Sequence, residues 1–97
     1  MLTPLPKPNV SWDYKLTDEA LKQLRKMGPE GRKRIISYLD SNITGCEDPR
    51  QFGKSLTGDL GEFWRYRTSH YRMICRIEDR ELIVLVVRAG HRRDVYD

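Results

Sequence analysis

The sequence predicts a single α+β domain: an N-terminal strand, an antiparallel helix hairpin, then a three-strand antiparallel meander, all contributing to one small sheet. Three observations carry that reading. Apolar residues alternate at period two over Val10, Trp12, Tyr14 and Leu16 and again in runs between Glu62 and Arg88. Between Ala20 and Ile43 they recur at helical spacing instead. The joins between these runs are rich in Gly, Pro and Asp.

Residues 1–9 contain Pro4, Pro6 and Pro8 and read as a flexible, Pro-rich arm outside regular structure, so the domain is expected to occupy residues 10–97. The first strand follows. Thr17 then supplies a capping hydroxyl, Asp18 and Glu19 suit the positive end of a helix, and Ala20, Leu21, Leu24 and Met27 form its apolar face. Gly28 should stop that helix, and Pro29 should open a second one whose stripe is Ile35, Ile36, Leu39 and Ile43. From Thr44 to Gly61 there is no sustained period, which leaves a connection long enough to be functional or to hide a short turn of structure. Three strands end the reading: Glu62 to Thr68, Tyr71 to Glu78 and Glu81 to Arg88, joined at Ser69-His70 and Asp79-Arg80.

At 97 residues, 38% hydrophobic and 33% charged, the chain can hold one modest core and no second folded unit. The longest apolar run, Leu82 to Val87, is far short of a bilayer span, and the start MLTPLPKPN lacks a signal-peptide core, so a cytoplasmic protein with no membrane partner is expected. Cys46 and Cys75 read as reduced thiols, and with His70 and His91 they show no metal-ligand spacing, so neither metal nor cofactor is expected. The net charge of +4 permits an anionic partner. The distribution of cations says more: all six lysines precede Glu62, and the eight basic residues after it are all arginines. Their planar forks suit phosphate.

Two apparent motifs dissolve on inspection. Gly53-Lys54-Ser55 resembles the end of a phosphate loop, but the required earlier glycine is Asp48 and no buried strand leads in. Arg32-Lys33-Arg34 is the solvated face of a helix. Arg65, Arg67 and Arg72 differ, because burial of their alternating neighbours sends all three towards one side of adjoining strands. They form either a phosphate-binding surface or a ladder paired with Glu62 and Glu78. The segment Gly90-His91-Arg92-Arg93-Asp94-Val95-Tyr96 then adds a proton-transfer group, two guanidiniums and a phenol at a strand exit. An imidazole can act as acid or base near neutrality, although a lone histidine is often structural.

Together the residues resemble the RelE/ParE toxin superfamily, and its RelE branch most. The resemblance runs over about residues 10–97, through Leu56-Thr57-Gly58-Asp59-Leu60, Phe63-Trp64-Arg65-Tyr66-Arg67, His70-Tyr71-Arg72 and Val87 to Tyr96. It implies a toxin of a type II toxin–antitoxin pair that enters the ribosomal A site and cuts mRNA without metal, through attack of a ribose 2′-hydroxyl on its neighbouring phosphate. On that resemblance Arg65, Arg72, His91, Arg92 and Tyr96 are the expected catalytic residues, and Arg67, Arg93 and Lys54 the expected RNA contacts. The implied partners are a cognate antitoxin encoded by a neighbouring gene, the ribosome and mRNA.

The sequence departs from well-known members where Phe63 and Arg65 replace lysines and where His91 precedes Arg92. An arginine is a poor base, so His91 is the first candidate for the proton shuttle and Tyr96 its competitor. Two other functions share the same expected fold: a ParE-like toxin that poisons DNA gyrase, and a non-catalytic RNA-binding module.

Overall fold

A computed structural model of the chain describes residues 11–56 and 62–91; the expected N-terminal arm lies outside them. Strand β1 (Asp13–Leu16) leads into helix α1 (Asp18–Tyr38), which continues as a π-helical turn at Leu39–Ile43. A 3-10 turn (Pro49–Gln51) and the short strand β2 (Lys54–Ser55) precede β3 (Trp64–Thr68), β4 (Tyr71–Glu78) and β5 (Ile83–His91). The five strands form one sheet in the order β1-β5-β4-β3-β2, parallel only between β1 and β5.

Helix α1 starts as its sequence dictates. The Ala20 N–H donates to the Thr17 hydroxyl at 3.1 Å, and that hydroxyl donates to the Val87 carbonyl at 3.3 Å, so the cap also ties the helix to β5. The expected stop and restart are both present, but the two helical segments run together with no loop, so that α1 is kinked at one non-helical residue. Gly28 (φ 91°, ψ 172°) redirects the chain within a single residue, and Pro29, its φ already helical, restarts the helix without a loop. Both halves contribute to one core, through Ala20 and Leu24 before the break and Ile35 after it.

That core lies between α1 and one face of the sheet, where Tyr66, Met73, Cys75, Val84 and Val86 are completely buried. Burial pushes the Tyr66 phenol and the Cys75 thiol well above their ordinary values, so both stay neutral and serve packing. The opposite face holds a smaller apolar cluster of Leu56 and Ile74 with Phe63 and Val87. Among the described residues no helix is long and apolar enough to cross a membrane.

The connection after Thr44 is anchored rather than loose. The Tyr66 hydroxyl donates to the Pro49 carbonyl at 2.8 Å, and the Trp64 indole N–H to the Phe52 carbonyl at 2.6 Å. Gly53, at φ +72°, then lies so close to Arg65 that a Cβ would collide with its carbonyl oxygen. This close approach, and not phosphate binding, accounts for the glycine of Gly53-Lys54-Ser55, and it sets Lys54 opposite Arg65.

The last strand also differs from expectation. Its turn takes in Leu82, at φ 55°, so β5 begins at Ile83 instead of Glu81. It then runs past Arg88 to His91, because Gly90 and His91 still pair with Arg72 and Tyr71. Between Ile74 and Cys75 the register steps past Val87, a β-bulge that puts Ile74 opposite Arg88 and Cys75 opposite Val86.

Candidate functional site

The pleat and register assemble a basic surface on the sheet face turned away from α1. Arg67 of β3 stands opposite Arg72 of β4, which stands opposite Gly90 of β5. One step along, Lys54, Arg65, Ile74 and Arg88 form a second row across β2, β3, β4 and β5. Neighbouring strands are roughly 4.8 Å apart and residues two along a strand roughly 6.7 Å apart, so the two rows make one compact grid of cations.

Arg72 is the buried charged side chain of the described residues, 8% exposed. A guanidinium held this way has few alternative directions, so its charge is aimed before any ligand arrives. Gly90 opposite contributes no side chain and leaves the row open on that flank. Like charges directly across a sheet repel, so the Arg67–Arg72 pair favours an anion between them.

The alternative of a carboxylate ladder fits poorly. Glu78 pairs with Arg76 at 3.3 Å, on its own strand, and Asp79 takes a bidentate pair from Arg50 at 2.8 and 2.9 Å. Arg67, Lys54 and Arg88 make no ion pair among the described residues. Arg88 is the member of the grid that sequence reading missed. Ending β5 at that residue hid its face, and the bulge at Val87 breaks the alternation that would have revealed it.

The structure does not bring His91 into this grid. Its cross-strand partner is Tyr71, on the helix side, with ring centroids 5.7 Å apart edge to face; the His70 ring stacks at 6.0 Å. There His91 and Tyr71 border a cavity of about 390 Å³ with Gln23, Lys26 and Met27, and the Gln23 side-chain Oε1 accepts the Ala89 N–H at 2.7 Å. Arg92, Arg93 and Tyr96 lie outside the described residues.

The chain matches the family model of the ParE toxin of the type II toxin–antitoxin system, parDE, over residues 14–96. It is 27% identical over 85 residues to toxin RelG of Mycobacterium tuberculosis, spanning 88% of this chain and 95% of that protein. Among solved structures it resembles the toxin–antitoxin complex RelBE2 of the same organism with a TM-score of 0.77 at 26% identity, over 88% of this chain and 95% of that one. The isolated RelE toxin of E. coli shares the fold with a TM-score of 0.67 at 24% identity, over 84% of each chain.

Proposed function

Because the chain belongs to the ParE toxin family within the RelE/ParE superfamily of type II toxin–antitoxin toxins, we propose that it is a ribosome-dependent endoribonuclease acting on mRNA in the A site. The observation that carries this reading is the buried Arg72 set directly opposite Arg67 on the sheet face that the helix leaves uncovered. The buried Arg72 guanidinium, with the exposed Arg67 across from it, suits a phosphate whose charge grows during reaction.

In the reaction, a bond forms between the ribose 2′-oxygen and the adjacent phosphorus while the bond from phosphorus to the 5′-oxygen breaks. The products are a 2′,3′-cyclic phosphate and a 5′-hydroxyl. Negative charge builds on the non-bridging oxygens of a five-coordinate phosphorus, and Arg72 stabilises it with Arg65 alongside; Arg92 joins them on the family resemblance. Arg67, Lys54 and Arg93 hold the RNA backbone. The 2′-hydroxyl must lose a proton and the 5′-oxygen gain one. With His91 on the helix side, Tyr96 takes the acceptor role in this reading and His91 becomes a positioning residue at the strand end.

The partner is a cognate antitoxin, as the toxin–antitoxin complexes among the similar structures support. Induced expression followed by primer extension tests the function: transcripts are expected to be cut within codons on translating ribosomes. The family model is itself described by the ParE toxin, which favours gyrase poisoning as the second reading. Intact transcripts with gyrase-linked DNA breaks would select it.

A further inference from the structure

Arg88 belongs to none of the roles assigned above, yet it completes the grid. It stands opposite Ile74, which stands opposite Arg65, so Arg65 and Arg88 flank Ile74 in one row across three strands. Their backbones are two strand spacings apart, roughly 9.6 Å. Ile74 is 6% exposed and packs with Leu56, and Phe63 and Val87 join the same cluster. The row therefore has an apolar floor with a guanidinium at each side. Arg88 is exposed and makes no ion pair among the described residues, unlike Arg34, Arg50 and Arg76, which all pair with carboxylates.

Single-stranded RNA presents this same alternation, anionic phosphates separated by nucleosides with apolar faces. We propose that Arg88 binds the RNA phosphate next to the scissile one, with the intervening nucleoside lying against the half-buried Phe63 and Val87 that border Ile74. Arg88 is a binding residue in this scheme: it meets a phosphate whose charge does not change during reaction, so its contact is equal in ground and transition states. Such uniform binding lowers KM and leaves kcat alone. The bulge at Val87 is the backbone feature that makes the assignment possible, since it sets Arg88 opposite Ile74 on the basic face.

This inference rests on the nuclease reading, and kinetics on ribosomes programmed with a defined message separate the two. Arg88→Ala should raise KM for the programmed complex about tenfold, as for one lost charge-assisted contact, with kcat within about twofold. A message carrying an uncharged methylphosphonate beside the scissile phosphate should weaken the wild type similarly and erase the difference between wild type and variant. A wild-type KM in the variant overturns the inference, as does a penalty that persists whichever neighbouring phosphate is neutralised. A wild-type chain that leaves the message intact overturns the nuclease reading and this inference with it.

Discussion

Arg72 and His91 leave the sheet on opposite faces: Arg72 pairs with Gly90 on the uncovered side, and His91, the next residue of β5, pairs with Tyr71 on the helix side. In sequence they read as members of one site. In the fold Arg72 is buried on the face away from α1, while the imidazole is stacked on His70 and edged by Tyr71. Charge stabilisation and proton transfer are therefore separate questions, answered by separate variants.

Arg72→Ala is expected to lower the single-turnover cleavage rate on programmed ribosomes by about 10² or more, the size associated with losing one preorganised donor. Arg72→Lys should recover little of it, because a point charge on a flexible stem does not replace a buried planar fork. A lysine variant at the wild-type rate would show that net charge alone suffices.

His91→Gln should keep the cleavage rate within about tenfold of wild type, since a positioning residue contributes less than a general base, typically worth 10²–10⁴. Any rise of rate with pH in the wild type should persist in the variant. Loss of that limb together with most of the rate would return the base role to His91.

Gly53→Ala is expected to destabilise the fold by about 2 kcal/mol or more, because a left-handed φ of +72° and a collision with the Arg65 carbonyl act together. Thermal unfolding reads the loss directly. An unchanged midpoint would mean that β2 contributes nothing to the folded state.

Asp79→Asn removes the bidentate partner of Arg50, and both side chains are largely exposed, so the cost should stay below about 1 kcal/mol. The Arg50 hydrogen bonds hold the Asp79 carboxyl below the usual carboxylate range. Its contribution is thus complete above the unfolded pKa of about 3.9 and lost as pH falls through the lower folded value. Urea midpoints of wild type and variant should differ at pH 7 and converge in acid; a difference that grows on acidification would contradict the sign.

Much of the fold was legible because it follows from local signals. The join at Ser69-His70, Gly28 with Pro29, and the Thr17 cap each appear where short-range chemistry puts them. Strand β2 was not, since Lys54 and Ser55 are both exposed and their pairing depends on anchors from Trp64, Tyr66 and a close glycine. The parallel pairing of β1 with β5 is equally long-range. At the site, alternation set the directions of Arg65, Arg67 and Arg72 correctly. It did not extend to Arg88 and His91, because the bulge and the strand's last residues are decided by pairing with β4.

Whether this grid of cations cuts mRNA on the ribosome is read from a defined message after incubation of the purified chain with programmed ribosomes. A cut inside the A-site codon is expected, with a 2′,3′-cyclic phosphate on one fragment and a 5′-hydroxyl on the other, free RNA cut poorly and the reaction lost in Arg72→Ala. An intact message, with DNA breaks trapped on gyrase instead, would contradict it.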